Sequence, residues 1–466
     1  MGKYYKDYKS DIQSIVDKLR GNQIGIFCGS GAVADFTGVK WKDLFDKKPE
    51  LNDVKIDNYY KLASYYELIA DRSTLVSSIT TKFGRKPNSN EYSEHIKNLL
   101  NLPVYEFWTT NFDEAIETMI ENKIGIQPSI IYNSKNLSKY KENKKYKVYK
   151  LNGSISDSDS LVLTEEDYNN YYYKQKLLFE HLKKELILKS FIFIGYSFAD
   201  KLILDCLTEI KQVFDKSSNI HYRLAVNKKD KEQIQKLESN YFHHYYNIKT
   251  IYVDSYEEID DFLKHLYAAY KKKNVFISGS FRDFTSEKED RANNLCKALV
   301  NKLIDNGYNI YTGDGKRLGS YIISNATKKL AQNSAMYMQE RLKIMPYIDH
   351  TFKGKSADDP ERVKYIQEMI KDCSTSIFMY GQYKDDEYSK GVYEEYIQSN
   401  RNGLKIIPVA STGYAAQKIL ENMESNYVVP GYLEKYTEAL KDTNKEVDQV
   451  VDIIIEILNN IHNNPT

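Results

Sequence analysis

Short apolar runs alternate along the chain with stretches in which apolar residues recur at helical spacing. The runs predict strands at 24–28, 104–108, 146–151, 190–194, 222–226 and 248–253, and then at 274–278, 308–312, 374–380 and 404–409. Helical spacing lies between them, for example at 113–121 and 202–214. This alternation predicts an α/β fold with two Rossmann-like domains, each built on a mainly parallel sheet covered by helices.

A Lys-rich run ends the helix predicted at 256–273, and the strand pattern restarts at Asn274. We therefore predict one domain at 1–272 and a second at 273–466. The length supports this division, because one hydrophobic core stops growing at roughly 250–300 residues and this chain has 466. The segment 345–364 is charged, contains Gly and Pro, and shows little periodicity, so we expect a surface excursion there.

Charge and cysteine content narrow the function classes. The chain has 66 Lys and Arg residues and 65 Asp and Glu residues, which gives a net charge of +1. The overall charge therefore does not attract nucleic acid or a membrane surface. The four cysteines are dispersed and show no CxxC spacing, which fits a reducing compartment and argues against a zinc site. No apolar run approaches the ~18 residues of a membrane span. We expect a cytoplasmic protein without metal, nucleic acid or membrane partners.

The first predicted strand ends in a loop of small residues, Gly29, Ser30, Gly31 and Ala32. Such a loop lets backbone N–H groups approach a pyrophosphate, and a following helix N-terminus adds favourable partial charge. A tight turn after a strand also needs glycine for steric reasons alone, so a purely structural interpretation stays open.

Three later segments place small polar residues after an apolar strand: WTTNFDEAIE at 108–117, YKLNG at 149–153 and FIGYSFADKLI at 193–203. Together with the glycine loop, and in this order, they resemble the sirtuin-like NAD-consuming domains. The order of four motifs is far more specific than any single one. A protein deacylase of this class is disfavoured, because the paired CxxC motifs that bind zinc in such enzymes are missing from the sequence.

The resemblance implies NAD as substrate, with contacts from the glycine loop and from Thr110, Gly195 and Ser197. It assigns catalysis to Asn111, Asn152 and Asp113, with Asn111 positioning the ribose or an attacking water and Asp113 supporting the same pocket. Asn111 and Asp113 have a second interpretation as the cap and first turn of a helix. Ser197 likewise has two interpretations: it contacts the adenosine part of NAD, or it only begins the next helix.

Two positions depart from the family pattern. Apolar Val33 stands where the family has a small hydroxyl residue, and Asn152 stands where it has histidine. Histidine takes up a proton near neutral pH, whereas an amide only forms hydrogen bonds. The pair Asn152 and Gly153 also suits a tight turn. The sequence leaves two alternatives to an active enzyme: a catalytically impaired NAD-binding sensor, and an engineered inactive variant.

In the second domain, three strands end in small residues. The first end carries Ser278, Gly279 and Ser280, the second Gly315, Lys316, Arg317, Gly319 and Ser320, and the third Thr412, Gly413 and Tyr414. Backbone donors with nearby cations hold phosphates, and strand ends that converge form a crevice. Ordinary turns with solvated basic tips remain the structural alternative.

The segments NVFISGS, GDGKRLGS, KGVYEE and PVASTGYAA together resemble the SLOG domain, a Rossmann-like sensor of nucleotide-derived ligands. A sirtuin-like domain joined to a SLOG domain is characteristic of the NAD-degrading effector of the Thoeris anti-phage system. This resemblance implies a homo-oligomer that hydrolyses NAD to nicotinamide and ADP-ribose. A partner protein with a Toll/interleukin-receptor domain would make a cyclic ADP-ribose isomer that binds the SLOG domain and activates the enzyme.

Within KGVYEE, Glu395 matches a ligand-contacting glutamate of the family, and its alternative is a solvated helix residue. The family's ligand-binding arginine aligns with Ile366, and its downstream lysine falls near Tyr383, next to Lys384. Arg362 precedes Ile366 by one helical turn and is placed to project from the same face.

Overall fold

The structure, a computed structural model, describes residues 8–34, 58–84, 93–141, 145–198, 201–214, 219–282, 284–315, 317–332, 341–346, 356–385, 387–426 and 428–463. The chain divides into two compact units, Met1–Tyr267 and Ala268–Thr466. The division falls inside the helix Tyr256–Lys271, whereas the sequence places the boundary after residue 272. No helix in the described ranges is long and apolar enough to cross a membrane.

The first unit has a seven-stranded sheet. Its strands are β1 (Ile24–Cys28), β2 (Glu106–Thr109), β3 (Ser129–Ile131), β4 (Lys147–Lys150), β5 (Ser190–Ile194), β6 (His221–Val226) and β7 (Ile248–Val253). Its helices are α1 (Lys9–Arg20), α2 (Tyr59–Ala70), α3 (Arg72–Phe83), α4 (Glu94–Leu99), α5 (Ala115–Ile124), α6 (Glu165–Lys174), α7 (Lys176–Leu188), α8 (Lys201–Phe214), α9 (Glu232–Tyr246) and α10 (Tyr256–Lys271).

The strand order in this sheet is β3-β4-β2-β1-β5-β6-β7, and every pairing is parallel. The central strands β1 and β5 are buried at every position, which explains their unbroken apolar sequences. Strands β2 to β4 lie on one side of β1 and strands β5 to β7 on the other. The direction of winding therefore reverses between β1 and β5, where open α/β sheets bind their ligands.

The second unit has a five-stranded parallel sheet of order β10-β9-β8-β11-β14 and a small antiparallel hairpin, β12-β13. Its strands are β8 (Asn274–Ser280), β9 (Asn309–Gly313), β10 (Leu342–Met345), β11 (Thr375–Tyr380), β12 (Gln382–Lys384), β13 (Glu387–Tyr388) and β14 (Lys405–Val409). Its helices are α11 (Ser286–Asp305), α12 (Leu318–Ala331), α13 (Pro360–Ile370), α14 (Lys390–Arg401), α15 (Tyr414–Ser425), α16 (Gly431–Glu434), α17 (Thr437–Lys441) and α18 (Val447–Asn463).

The predicted fold class is confirmed, since both units are α/β with parallel sheets. The pattern of apolar runs missed β3 and β10, which are short strands at the outer edge of each sheet. Residues 347–355 of the excursion expected at 345–364 lie outside the described residues. The expectation was wrong at its end, because α13 begins at Pro360. Asp359 caps this helix by accepting hydrogen bonds from the backbone N–H groups of Glu361 and Arg362, and Pro360 suits the first helical turn.

Candidate functional site

The register of the first sheet brings the four predicted segments to one edge. Cys28 of β1 pairs with Thr109 of β2 and with Ile194 of β5, and Thr109 pairs with Lys150 of β4. These strands are adjacent and parallel, so the residues two positions further leave the sheet side by side: Ser30, Asn111, Asn152 and Tyr196. The segments that carry the predicted NAD contacts therefore converge at the carboxyl edge of the sheet.

The glycine loop after β1 packs directly on the turn after β5. The Gly31 N–H donates to the Gly195 carbonyl at 3.0 Å, and the Gly29 N–H donates to the Ile194 carbonyl at 2.9 Å. Gly195 has φ +63°, and a Cβ on it would overlap the backbone of Ala32. The glycines thus allow two backbones to touch. Ser30, Gly31, Gly195 and Ser197 remain exposed at this edge.

Asn111 is the second residue beyond β2 and is half-buried, like its neighbour Thr110. Its backbone N–H donates to Thr109 Oγ1 at 2.9 Å. Its side-chain Nδ2 is buried and has no hydrogen-bond partner among the described residues. A buried amide group without a partner is costly and uncommon, so this nitrogen marks a place where a ligand or water is expected to bind.

Asp113 is buried and holds the start of α5, because its Oδ1 accepts a hydrogen bond from the Ala115 N–H at 3.0 Å. The interpretation of Asn111 as the cap and Asp113 as part of the first turn is wrong, because α5 begins at Ala115 with Glu114 at its N-cap position. Asp113 instead contacts the start of the helix from two residues before it. Burial raises the pKa of this carboxyl, and the attraction of Lys150 opposes that effect.

Lys150 is a residue that the sequence analysis missed. It is fully buried, and its Nζ donates to Glu117 Oε1 at 2.7 Å and also to the Asp113 carbonyl oxygen. It thereby ties the end of β4, two residues before Asn152, to the loop that carries Asn111. The only sequence signal is a lysine inside an apolar strand, which needs a buried partner to be tolerated. Nothing in the local spacing identifies that partner as Glu117.

Asn152 lies in a tight turn and points to a tyrosine. It is 4 % exposed, its Nδ2 donates to the Tyr60 hydroxyl at 3.1 Å, and its carbonyl accepts from the Val162 N–H at 3.1 Å. Gly153 has φ +84°, as the turn interpretation requires. Tyr60 sits on α2, far away in sequence, so no local motif reveals it. Val33, the second departure from the family pattern, is buried.

The second unit contains a cavity of about 780 Å³ at the carboxyl ends of β8, β9 and β10, which we name the second-unit cavity. This volume is in the range of small-molecule sites. Seven residues predicted to bind the ligand line it: Ser278, Gly279, Ser280, Gly315, Arg317, Ser320 and Glu395.

Glu395 faces this cavity from α14. Ser278 Oγ donates a hydrogen bond to Glu395 Oε2. Burial raises the pKa of the Glu395 carboxyl, and both the Ser278 hydrogen bond and the positive charge of Arg362 act against that rise. The alternative of a solvated helix residue is therefore wrong, since the Glu395 side chain is half-buried, lines the cavity and accepts the hydrogen bond from Ser278.

The turn at 315–320 contributes fewer charged groups to the cavity than the sequence predicts. Lys316 lies outside the described residues. Arg317 lines the cavity, but half of its side chain is exposed and its Nη1 contacts Glu289 Oε2 at 3.1 Å. Gly319 packs instead against the Gly313 carbonyl, within 2.7 Å of where a Cβ would stand.

The third predicted turn does not line the second-unit cavity. Thr412 Oγ1 accepts from the Tyr380 N–H and donates to the Val409 carbonyl, both at 2.6 Å. Tyr414 stacks on Phe284 at 6.1 Å, and Gly413 has φ +78°. The reason is topological: this turn follows β14 at the sheet edge, with β11 between it and β8.

Two residues outside the predicted set, Tyr383 and Arg282, also line the cavity, whereas the predicted Lys384, next to Tyr383, does not. Lys384 is exposed and lies 5.6 Å from the ring centre of Tyr383, which itself lines the cavity. Arg282 also lines the cavity, with its guanidinium 5.0 Å from the same ring. Arg362 lines it together with Ile366, as expected from their shared helix face. Among the described residues, no cluster of three His, Cys, Asp or Glu side chains is arranged to hold a metal ion.

Comparison with known proteins agrees with this division. Residues 105–251 match the SIR2-like domain, and residues 258–461 match the Sir2- and TIR-associating SLOG family. The chain is 28 % identical over 444 residues to a protein of Bacillus cereus (strain MSX-D12) named NAD(+) hydrolase ThsA, covering 89 % of this chain and 90 % of that protein. The chain thus resembles proteins that join a SIR2-like domain to a SLOG domain.

Proteins of the same name in two further bacteria are similar along nearly their whole length. The one from Acinetobacter baumannii (strain 532279) is 27 % identical over 469 residues, covering 93 % of this chain and 94 % of that protein. The one from Enterococcus faecium is 28 % identical over 453 residues, covering 90 % and 91 %. The resemblance to the Thoeris effectors is thus confirmed, and with it the expected order of a SIR2-like and then a SLOG domain.

The buried ion pair of the SIR2-like domain gives a stability prediction. Lys150→Met leaves the Glu117 carboxylate buried without its partner, so we expect the free energy of unfolding to fall by about 3–5 kcal/mol. Adding Glu117→Leu should restore most of the loss. Urea unfolding followed by tryptophan fluorescence measures this in the first unit, because both tryptophans, Trp41 and Trp108, belong to it.

A matched control is Lys97→Met, which removes the exposed pair of Lys97 with Glu94 and should change stability by less than about 1 kcal/mol. If Lys150→Met is as mild as this control, or if the double variant is no more stable than Lys150→Met, the bracing role of the pair is wrong.

Proposed function

We propose that the chain is an anti-phage defence effector that hydrolyses NAD to nicotinamide and ADP-ribose in its first unit. A cyclic ADP-ribose isomer bound in the second-unit cavity would activate it, made by a partner protein with a Toll/interleukin-receptor domain. One observation carries the reaction: Asn111, whose buried amide nitrogen has no partner in the described part of the chain, lies where the glycine loop and the Asn152 turn converge. The names of the similar hydrolases support the substrate, and the TIR association in the SLOG family description supports the partner.

The proposed reaction breaks the bond between the ribose C1′ and the nicotinamide nitrogen. The bonding electrons leave with nicotinamide, and positive charge develops on the ribose. Water attacks C1′ and then gives up a proton, which yields ADP-ribose. The Asn111 amide can orient the ribose or this water by hydrogen bonds, but it is a poor proton acceptor.

Asn152 favours a second candidate function, a sensor that binds NAD and turns it over slowly. Its amide already donates to Tyr60, and it has no titration near neutral pH with which to take the proton from water. An engineered replacement of histidine at this position would have the same consequence. The two candidates differ in rate and share the same substrate site.

We expect the unmodified chain to release nicotinamide slowly and Asn152→His to accelerate the release by about 10²–10⁴-fold, the usual contribution of a general acid or base. The assay compares both proteins at saturating NAD and cyclic ADP-ribose isomer. Asn111→Ala in each background is the control, and it should lower the rate of both.

If the unmodified chain is already fast and Asn152→His does not change its rate, the role assigned to this position is wrong. If both proteins bind NAD and neither hydrolyses it, the sensor function takes precedence and Val33 becomes the next position to restore.

Activation requires that the ligand bind the active and inactive arrangements with different affinity. We propose that these arrangements are different packings of a homo-oligomer. Light scattering of the full chain should give a mass above that of one 54.4 kDa chain, and the cyclic ADP-ribose isomer should change the mass or the hydrodynamic radius. A monomer with and without ligand would contradict this.

A further inference from the structure

Ala32, the last residue of the glycine loop, has a buried partner outside the four predicted segments. Ser93 Oγ donates a hydrogen bond to the Ala32 carbonyl at 2.7 Å, although the two residues are 61 positions apart in sequence. Each of them is 1 % exposed. On another side, the backbone of Gly195 packs against the Ala32 nitrogen. The glycine loop is therefore held by Ser93 as well as by the turn after β5.

Ser93 directly precedes α4, and a single carboxylate oxygen holds this helix at two positions. His95 Nδ1 and Asn98 Nδ2 each lie 2.9 Å from Asp260 Oδ1. Both nitrogens donate, because a carboxylate only accepts hydrogen bonds. His95 and Asn98 are buried, so these bonds are shielded from competition by water. Asp260 lies on α10, which places the support of α4 more than 160 residues away in sequence.

Helix α10 is a firm support for this carboxylate. It has 16 residues, and its buried apolar residues recur at helical spacing on one face: Ile259, Phe262, Leu263 and Leu266. Helix α4 has only six residues, far fewer than the ~12–15 at which an isolated helix becomes even marginally stable. Its position therefore depends on tertiary contacts.

Apolar packing and the two hydrogen bonds contribute differently to the position of α4. Ile96 and Leu99 are fully buried, and such contacts hold the helix to the unit but have no preferred direction. Hydrogen bonds weaken steeply when their geometry changes, so the bonds to Asp260 fix how α4 is turned and where Ser93 lies. A displacement of about 1 Å in a binding group is enough to cost affinity or rate. The placement of the glycine loop thus depends on Asp260 through α4 and Ser93.

We propose that Ser93 and Asp260 are positioning residues of the candidate NAD site, which hold the glycine loop where its backbone N–H groups bind the pyrophosphate of NAD. Both act through the Ala32 carbonyl and not on the substrate. The inference rests on the proposed function of the first unit and adds two residues outside the four motifs on which NAD binding depends.

The test combines calorimetric titration of the full chain with NAD and hydrogen exchange of the peptide that covers 29–33. Ser93→Ala removes the hydroxyl donor, and Asp260→Ala removes the acceptor of both α4 bonds. Asp260→Asn is the conservative variant, because an amide oxygen also accepts two hydrogen bonds. Asp261→Ala is the matched control, since it removes an exposed carboxylate from the next position of the same helix.

We expect Ser93→Ala and Asp260→Ala each to weaken NAD binding by roughly three- to tenfold, as for the loss of one hydrogen bond, and to speed hydrogen exchange at 29–33. Asp260→Asn should recover most of the affinity, and Asp261→Ala should stay within about twofold of the unmodified chain. Because both residues act on the same loop, the double variant Ser93→Ala with Asp260→Ala should lose less affinity than the product of the two single losses.

Unchanged NAD affinity in both alanine variants would overturn the inference and leave the proposed function standing. Single losses that multiply fully in the double variant would show that the two residues act independently, which contradicts positioning through α4. If Asp260→Ala does not fold, Ser93→Ala and Asp260→Asn provide the comparison. If the unmodified chain binds no NAD, the proposed function fails, and hydrogen exchange still decides the inference: unchanged exchange at 29–33 in the variants would overturn it.

Discussion

The close approach of two backbones at the carboxyl edge of the first sheet is the constraint on which the candidate NAD site depends. The loop after β1 touches the turn after β5 through the hydrogen bond from Gly31 to Gly195. This contact is possible because Gly195 adopts φ +63° and neither glycine has a side chain. It fixes the position of the glycine loop at this edge, and the parallel register brings the segments that carry Asn111 and Asn152 to the same edge.

What the site can do chemically follows from three side chains near these strand ends. Asn111 offers a buried nitrogen without a partner among the described residues, whereas the Asn152 amide is engaged by Tyr60. Lys150, two residues before Asn152, holds the loop that carries Asn111 by donating hydrogen bonds to Glu117 and to the Asp113 carbonyl. The arrangement is suited to hold NAD and orient water, and it has no group at position 152 that takes up a proton near neutral pH.

Much of the fold follows from the sequence, because buried parallel strands are unbroken apolar runs. Strands β1, β5 and β7 have the predicted bounds. The short edge strands β3 and β10 escaped prediction, since three or four residues carry too little pattern. Local motifs selected Asn111, Asn152 and Glu395 as candidate site residues, and these roles stay predictions. They did not identify Tyr60, Glu117 or Arg282, whose roles come from partners distant in sequence. The Thr412 turn was misplaced because motif order does not reveal which strand lies at the sheet edge.

The central proposal is that one chain joins NAD hydrolysis in its first unit to activation by a ligand bound in the second-unit cavity. The most direct measurement is the rate of nicotinamide release from NAD by the full unmodified chain as the concentration of a cyclic ADP-ribose isomer is raised. The account predicts a slow rate that increases with the isomer, saturates and is lost in Asn111→Ala. A rate that is the same without the isomer, or no release while both NAD and the isomer are bound, would contradict it.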